Sequence, residues 1–543
     1  MILTLSRRWS VGGYLMAAAL MLPLIALILQ SLQPDQEAFQ HLKNTVLSAY
    51  VANTVLLILM VCLGSLVLGL PAAWLVAMCR FPGQRVFQWA MLLPLAMPAY
   101  IVAYVYTDLL DYAGPVQKML RELAGWQSPA DYYFPSVRSL GGAAIMLSLV
   151  LFPYVFMLAR TAFLEQASNL IQASRTLGCT PTRSFFRLSL PLARPAIAVG
   201  LSLVAMETLA DFATVSYFAV NTMTTAVYDT WLGHGSMSSA ARLSTLMLLG
   251  IALLMFGERM ARRRQQQFQK AEGKSEDYSY LLTGWRAALA TGFCSVLLLL
   301  SFVLPALILL DYAIEYFDPE SLSAFWSYSA NSLMVSALVA ALTVVIALGL
   351  QFLARVSPRK WDRWPSRLAG FGYALPGTVL AIGILIPLTR ADFAINDLAE
   401  WLGLGLPGLV LSGSMVAIVF GYTVRFLAVA LGSIESSFKR VSPTLDMAGS
   451  TMGYGPASLL RHVHLPLVRR GMLAAALIVF IEAMKELPAA LLLKPIGFET
   501  LATYVYQFVS DEALELGALP ALVIVLVGLV PVIYLNRSLE HVH

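Results

Sequence analysis

Four carboxylates lie inside long apolar runs of this sequence, where charged side chains are unusual. Glu207 and Asp211 occur in "GLSLVAMETLADFATV", and Glu482 and Glu486 occur in "ALIVFIEAMKELPAAL". Each pair has i, i+4 spacing, which predicts two carboxylates on one face of a helix. The second pair repeats the first, and such intramembrane acids are expected to face the bundle interior or a water-filled cavity, where they would favour a cationic substrate. The alternative is a structural role, with Glu482 neutralised by Lys485 or the acids bonded to neighbouring helices.

The composition identifies the element that must carry these acids. The chain is 59% hydrophobic and 12% charged, with a mean hydropathy of +0.73, which excludes an ordinary soluble protein. Apolar runs near the length of a membrane-crossing helix predict an all-α polytopic membrane protein with about twelve spans. We expect these spans near 11–31, 50–78, 86–108, 139–160, 193–219, 240–257, 286–310, 328–354, 366–388, 408–431, 471–494 and 517–535.

The spans fall into two sets of six, which we interpret as an internal duplication. The predicted halves are residues 1–257 and 285–543, and the charged stretch 258–284 is the linker between them. Pro98 matches Pro376, and Asn53-Thr54 matches Asn331-Ser332, both at one shared offset along the chain. An even number of spans per copy gives both copies the same orientation, so we expect two parallel six-helix repeats.

The distribution of positive charge predicts the orientation. Lys and Arg residues cluster in the loops on one side, and positive residues are retained on the cytoplasmic side of a membrane. Both chain ends are therefore expected in the cytoplasm. The acidic segments 311–325 and 392–400 are expected as loops on the opposite, periplasmic side.

Two arginine-rich cytoplasmic loops, 172–191 and 447–466, share one pattern. A triplet of mostly small residues is followed by glycine, and thirteen residues after that glycine comes the proline of a Leu-Pro pair. The distance along the sequence between the two loops is nearly the same as that between the matching prolines, and a small gap accounts for the difference. Glycine permits a tight turn between two short helices, and proline favours the first turn of the second helix. The pattern is formed by Gln172, Ala173, Ser174, Gly178, Pro181, Leu190 and Pro191 in the first loop and by Met447, Ala448, Gly449, Gly453, Pro456, Leu465 and Pro466 in the second.

This pattern resembles the EAA loop of permease subunits of binding-protein-dependent ABC importers. The resemblance implies that each loop docks on a separate ATPase dimer, which binds the ATP, and that a periplasmic substrate-binding protein delivers the substrate. Phe185 and Leu460 are apolar residues at equivalent positions and are expected to enter a cleft on the ATPase. The family motif begins with a glutamate, and this position is Gln172 in the first loop and Met447 in the second. Asp446 lies one residue before Met447 and could substitute for the glutamate.

Two further stretches, "METLADFATVSYF" and "VRFLAVALGSIESSFKRVSPTLDMAGSTMG", look like the fused permeases of ferric-iron importers. The resemblance implies an iron(III) permease of the bacterial inner membrane, with thiamine and polyamine permeases as alternatives. A secondary transporter of the major-facilitator kind also has parallel halves, but it has no ATPase to dock. We expect no enzymatic activity, no resident cofactor or metal site and no nucleic-acid partner. Membrane lipid surrounds the spans.

Overall fold

The computed structural model describes residues 7–33, 36–164, 166, 174, 176–265, 279–320, 322–357 and 359–540. The secondary structure of these residues is helical except for one parallel pair of two-residue strands, Cys79–Arg80 and Tyr280–Leu281. The predicted all-α fold class is confirmed.

The helices follow the apolar runs of the sequence. In the first half they are α1 (Arg7–Ser31), α2 (Gln36–Thr45), α3 (Leu47–Met78), α4 (Gln84–Ala90), α5 (Ala99–Leu110), α6 (Pro115–Ala124), α7 (Leu140–Leu164), α8 (Pro181–Ser184), α9 (Leu190–Ala210), α10 (Ala213–Tyr217), α11 (Met223–Leu232) and α12 (Met237–Gln265). In the second half they are α13 (Trp285–Leu298), α14 (Leu304–Glu315), α15 (Leu322–Val356), α16 (Trp364–Ala369), α17 (Gly377–Trp401), α18 (Met415–Lys439), α19 (Pro443–Thr451), α20 (Pro456–Leu459), α21 (Leu465–Lys485), α22 (Pro488–Leu493), α23 (Leu501–Ser510) and α24 (Ala518–Glu540).

Fewer helices than predicted meet a strict criterion for crossing a membrane. Nine in the described part of the chain are long and apolar enough, and a tenth is counted if the broken pair 84–96 and 99–124, bent by 91°, is one span. The predicted span 471–494 corresponds to α21 and α22, which together include Arg470, Glu482 and Lys485. This stretch is not among the spans counted, and the predicted span 517–535 corresponds to a shorter apolar helix, Leu514–Val530, so the exact number of twelve stays a prediction.

The third predicted span of each half is interrupted at the matching prolines. Pro98 and Pro376 are the N-caps of α5 and α17, and each follows a short 3₁₀ helix, Leu93–Ala96 or Gly370–Ala374. The residue before a proline is driven into extended backbone, which ends the preceding helix. The break is therefore encoded locally and occurs twice.

The expected periplasmic loop at 392–400 is wrong, because α17 continues as a helix to Trp401. Asp392 is fully buried, and its carboxylate accepts hydrogen bonds from the backbone N–H groups of Leu411 (2.7 Å) and Ser412 (2.8 Å). This acid therefore holds the chain that follows α17 rather than facing solvent.

The duplication is visible in matching hydrogen bonds. Asn53 Nδ2 donates to the carbonyl of Asn221, and Asn331 Nδ2 donates to the carbonyl of Glu499, both at 3.0 Å. The two acceptors are separated by the same offset as the two asparagines. The asparagines therefore have one structural role, which is to hold the segment that leads into α11 or α23.

The residues after these asparagines repeat a second contact. Thr54 Oγ1 accepts a hydrogen bond from the N–H of Met223 at 2.9 Å, and Ser332 Oγ accepts one from the N–H of Leu501 at 2.6 Å. Met223 and Leu501 are the first residues of α11 and α23, whose early N–H groups have no partner within the helix. A hydroxyl is conserved between the halves because it caps a buried helix start.

The chain forms two compact units, and each combines segments from both sequence halves. Unit 1 consists of Met1–His41, Ala226–Leu246 and Asp318–Tyr504, and unit 2 consists of Leu42–Thr225, Met247–Phe317 and Val505–His543. The predicted boundaries of the two sequence halves, at 257 and 285, do not coincide with the boundaries of these units. The division into halves stays a prediction.

Within each unit, a helix from the second sequence half packs on a segment from the first half. The two backbones approach so closely that the contact requires glycine. In unit 1, a Cβ at Gly383 on α17 would lie 2.7 Å from the carbonyl oxygen of Pro23 on α1. In unit 2, a Cβ at Gly528 on α24 would lie 2.5 Å from the carbonyl oxygen of Ala96. These approaches show that a helix from one sequence half belongs to the core formed by the other.

Candidate coupling loops and translocation path

The glycine of each EAA-like loop has a left-handed backbone conformation. The φ angles are +75° for Gly178 and +82° for Gly453, and neither has another atom within 4 Å of an added Cβ. A side chain would therefore be opposed by backbone strain rather than by crowding. This geometry is the tight turn that the sequence predicts.

The chain after each glycine enters a helix through the predicted proline. Pro181 and Pro456 begin α8 and α20, and the Thr180 hydroxyl caps α8 by accepting a hydrogen bond from the N–H of Arg183 at 3.4 Å. The interpretation of a separate short helix is wrong, however. α8 and α20 each continue through one π turn, Phe185–Ser189 or Leu460–His464, into α9 or α21.

The Leu-Pro pair explains these π turns. Pro191 and Pro466 have no N–H, and a proline ring clashes with the carbonyl four residues earlier. The backbone widens just before each proline, and Leu190 and Leu465 donate to carbonyls five residues back. The two π turns are at equivalent positions in the loops, so the motif encodes the same bulge twice.

The residues before the glycine are described mainly in the second loop. Gln172 and Ala173 lie outside the described residues, whereas Met447, Ala448 and Gly449 lie on α19. A Cβ at Gly449 would be 2.5 Å from Leu459 Cδ1, which explains the small residue there. At the equivalent positions of the first loop, the Ser174 and Ser184 hydroxyls are 3.2 Å apart.

Phe185 is not the exposed apolar residue that the sequence suggests. Its ring packs on Trp74 and Phe163, with centroid distances of 4.9 and 6.3 Å, because the π turn directs it toward α3 and α7. Leu460 is likewise half-buried. Among the described residues of the two loops, the most exposed apolar side chains are Leu177 (82% exposed) and Met452 (70% exposed), each directly before the turn glycine. Met447 (63% exposed) and Phe186 (61% exposed) are exposed as well.

Asp446, the residue one position out of register with the missing glutamate, is engaged within unit 1. Its Oδ2 lies 2.9 Å from Arg355 Nε, and its Oδ1 lies 2.8 Å from His464 Nε2. The His464 ring is fully buried, 5.4 Å from the rings of Phe352 and Phe438. Burial lowers the pKa of His464 below its ordinary value, an effect that the nearby Asp446 carboxylate partly opposes.

The four path candidates are not paired on continuous helical faces, which corrects the prediction. α9 ends at Ala210 and α21 ends at Lys485, so Asp211 and Glu486 have extended backbone with ψ angles of 131° and 118°. Each of these two acids instead caps the short helix that follows.

The caps are made by the carboxylates themselves. Asp211 accepts hydrogen bonds from Thr214 Oγ1 (2.9 Å) and the N–H of Val215 (3.1 Å) in α10. Glu486 Oε1 accepts a hydrogen bond from the N–H of Ala489 (3.2 Å) in α22. Carboxylates are suited to this position because a helix N-terminus has donors without partners.

Both acids in the second half contact a cation. Lys485 Nζ lies 3.2 Å from Glu482 Oε1, as the sequence spacing allows. Arg425 Nε lies 2.9 Å from Glu486 Oε2, and Glu486 is only 6% exposed. Arg425 also donates to the carbonyl of Leu375 at 2.8 Å, so it joins the break before α17 to the break after α21.

Known proteins identify the family. A family model described as "Binding-protein-dependent transport system inner membrane component" matches residues 65–267 and again residues 342–541. The chain belongs to this family. It is a fused permease with two copies of the permease domain, and members of this family are transport components of the inner membrane.

Curated relatives of this permease include permeases named for ferric and for molybdenum transport. It is 27% identical over 531 residues to the Fe(3+)-transport system permease protein FbpB 2 of Haemophilus influenzae, with 96% of each chain covered. It is 22% identical to the ferric transport system permease protein FbpB of Actinobacillus pleuropneumoniae, with 77% of this chain and 61% of the relative covered. It is 32% identical to the molybdenum transport system permease protein ModB of Escherichia coli, with 36% of this chain and 86% of the relative covered.

Sequence reasoning missed the arginine side chains of this permease that pair with acids distant in sequence. Arg425 stands alone in the apolar run of α18, and an intramembrane arginine is itself a signal of an acidic partner. Arg355 at the end of α15 gave no such signal, because basic residues are common at cytoplasmic span ends. Among the residues that the structure describes, no three His, Cys, Asp or Glu side chains form a metal-binding group.

Proposed function

We propose that this chain is the transmembrane permease of an ABC importer that moves iron(III) from the periplasm to the cytoplasm. A separate ATPase dimer supplies the energy, and a periplasmic binding protein delivers the iron. The observation that carries the proposal is the repeated coupling loop, with a left-handed glycine and a π turn at matching positions in both halves. Two such loops on one chain suit the two halves of one ATPase dimer.

The coupling surface consists of Leu177 and Met452 beside the turn glycines Gly178 and Gly453. Exposed apolar side chains on a cytoplasmic turn are suited to a pocket on a partner, where a few buried anchors dominate the binding energy. The half-buried Phe185 packs on Trp74 and Phe163 and so stabilises the first loop, and the half-buried Leu460 has the equivalent position in the second loop.

In each unit, the acid at the helix break is proposed to contact iron in transit. These acids are Asp211 in unit 2, with Glu207 one turn before it, and Glu486 in unit 1, with Glu482 one turn before it. Extended backbone at membrane depth is tolerated where it is buried in protein or lines a cavity. Carboxylates at such breaks favour a cation, which is consistent with the ferric relatives and disfavours oxyanions such as molybdate. Arg425 and Lys485 moderate the charge in the second half.

The orientation follows the positive residues, with both chain ends and both coupling loops in the cytoplasm. A cysteine at Tyr133, which is 89% exposed, should react with an impermeant thiol reagent in intact cells. A cysteine at Met452 should react only after lysis. The reverse labelling pattern would overturn this topology.

Transport by the complete system tests the function. The permease, its ATPase and its binding protein are reconstituted in proteoliposomes, and ATP-dependent uptake of radiolabelled iron(III) is measured against labelled thiamine, spermidine and molybdate. We expect uptake of iron alone. Uptake of another substrate without iron would assign the permease to that substrate, and ATP-independent uptake would contradict an ABC mechanism.

A further inference from the structure

A stripe of oxygen-bearing side chains runs along α5. Tyr100, Tyr104 and Asp108 are spaced i, i+4 and i+8, which puts them on one face of the helix. The Tyr104 hydroxyl donates to Glu515 Oε2 at 3.0 Å, and the Tyr312 hydroxyl donates to Asp108 Oδ2. Two phenols and two carboxylates therefore meet near the end of α5.

These two pairs form one cluster. Tyr104 also interacts electrostatically with Asp108, and Tyr312 interacts with Glu515. Among the described residues, neither Asp108 nor Glu515 has a Lys, Arg or His nitrogen within 4.0 Å. The cluster thus offers oxygen atoms alone within that distance, and the Tyr104 hydroxyl also lies 3.0 Å from the carbonyl of Glu512, whose carboxylate pairs with Arg138.

The stripe continues into the interior of unit 2. Asp108 is exposed, Tyr104 is 5% exposed and Tyr100 is 4% exposed, so the side chains descend from solvent to core. The Tyr100 hydroxyl has no hydrogen-bond partner among the described residues, although such a buried group normally has one. An unsatisfied buried oxygen on this face is available to contact a passing ligand.

The buried end of the stripe approaches the acid at the break after α9. The Tyr100 ring is edge-on to Tyr506, with centroids 6.0 Å apart, and Tyr506 lies 6.4 Å from the ring of Phe212. Phe212 directly follows Asp211 in the sequence. The buried end of the stripe is therefore joined through the Tyr506 ring to Phe212, the neighbour in sequence of the path candidate Asp211.

The second half repeats only the buried first oxygen of this stripe, because the Thr378 hydroxyl, like that of Tyr100, is buried without a hydrogen-bond partner among the described residues. The offset that matches Pro98 to Pro376 places Thr378, Ile382 and Ile386 of α17 at the positions of the three stripe residues. All three are buried. The equivalent helices keep the same Pro break, so the oxygen atoms of Tyr104 and Asp108, where α17 has isoleucines, are not required by the fold.

We propose that Tyr104, Asp108, Tyr312 and Glu515 form a transient outer binding site for a hard trivalent cation, from which the cation moves along Tyr100 toward Asp211. This inference rests on the proposed iron(III) function and identifies residues that select the ion. Hard cations prefer oxygen ligands, and a site on a conduction path must bind weakly enough to release its cargo. Binding replaces the hydroxyl protons of Tyr104 and Tyr312, which leave to solvent, and no electron is transferred.

Absorption spectroscopy and transport test the site in the intact complex. Iron(III) nitrilotriacetate is titrated into the purified permease with its ATPase, and the visible phenolate-to-iron charge-transfer band is recorded. The double variant Tyr104→Phe/Tyr312→Phe removes both phenols with little change in volume. Tyr106→Phe is the matched control, because Tyr106 lies on the same helix but donates to the carbonyl of Leu300.

We expect the band in the wild type and in Tyr106→Phe and its loss in the double variant. Iron uptake in proteoliposomes should fall at least about tenfold in the double variant, as expected for loss of ligands at a metal site. ATP hydrolysis stimulated by the binding protein should remain, which shows that the complex assembles. If that stimulation is lost, the single variant Asp108→Asn is measured with the same expectation for uptake.

The failures of the two proposals are distinguishable. A wild-type complex that takes up no iron contradicts the proposed function. A wild-type complex that takes up iron, together with a double variant that does so at the same rate, overturns the outer site whatever the spectrum shows. Absence of the band from a transporting wild-type complex also overturns it.

Discussion

The two coupling loops have the same backbone but are held in place by different chemistry. The first loop is held by aromatic packing of Phe185 on Trp74 and Phe163 in unit 2. The second is held by the buried cluster of Arg355, Asp446 and His464 in unit 1. Phe352 and Phe438 beside the second loop match Trp74 and Phe163 in the duplication, and the smaller Ser189 stands where the second loop has His464.

This difference separates what the coupling function requires from what can vary. Gly178 and Gly453 have equivalent φ angles, and the π turns occur at equivalent positions. Turn geometry depends on residue types that few others can replace, whereas a packed support can be exchanged for an ionic one of similar volume. We therefore expect substitutions in the shared backbone to damage both loops, and substitutions in the supports to damage one.

The largest effect is expected from breaking the shared turn in both loops. Gly178→Val with Gly453→Val forces two branched residues into a left-handed conformation that costs about 1–2 kcal/mol each. Together these costs reduce the docking-competent population about a hundredfold, at about 1.4 kcal/mol per tenfold. We expect ATP-dependent iron uptake to be lost in proteoliposomes while membrane insertion is retained.

Gly455→Thr is the control for this pair of substitutions. Gly455 has φ of −71° and open space around it, and the equivalent residue in the first loop is Thr180, which caps α8. Threonine there should leave uptake unchanged. Near-normal uptake by the double valine variant would show that the turn is not needed for coupling.

The second effect tests the ionic support alone. Asp446→Asn removes the carboxylate that faces Arg355 and His464, and loss of one partner from a largely buried charge cluster costs about 2–4 kcal/mol. We expect a lower thermal midpoint for the purified permease and weaker coupling through the second loop. An unchanged midpoint would mean that Arg355 is satisfied by its bonds to the carbonyls of Phe438 and Val441.

The fold was predictable from sequence where the signal is local. Gly178, Gly453, Pro98 and Pro376 restrict backbone angles by themselves, so their spacing revealed the duplication, the tight turns and the matching positions. Hydropathy predicted helices but not their interruption at Asp211. The signal for that break is an acid three residues before Thr214, which is the pattern of a helix cap rather than of a continuous helix.

The candidate site was less predictable because its partners are distant in sequence. Asp446 meets Arg355 and His464 only after α15, α19 and α21 pack, and Glu486 meets Arg425 only after α18 packs. The polar surroundings of Phe185 in the sequence suggested an exposed side chain, but an aromatic residue in a polar loop can face either way, and its ring is half-buried. The turn of the π bulge decides its direction, and no periodicity predicts that turn.

The third effect is a pH dependence confined to the second loop. Burial lowers the pKa of His464 below 6.5, so the unfolded chain binds its proton more readily than the folded one. Stability is therefore full above about pH 6.5 and is lost as pH falls through the folded-state pKa. We expect the thermal midpoint of the wild type to decrease as the pH is lowered below about 6.5. The midpoint of His464→Gln should depend less on pH over the same range. Equal slopes in both proteins would exclude His464 as the source.

The smallest effect is expected from exchanging the supporting residues between the loops. Phe185→Leu gives the first loop the residue that the second has at Leu460, and it leaves a partly filled space beside Trp74 and Phe163. The reciprocal Leu460→Phe adds volume to a half-buried position. Because the backbone is set by the glycine and the Leu-Pro pair, each exchange should cost about 1 kcal/mol or less and leave uptake within about threefold of wild type. Iron uptake by these variants is measured beside that of the Gly178 and Gly453 variants. If Phe185→Leu lost as much uptake as the glycine variants, Phe185 itself would be the coupling contact.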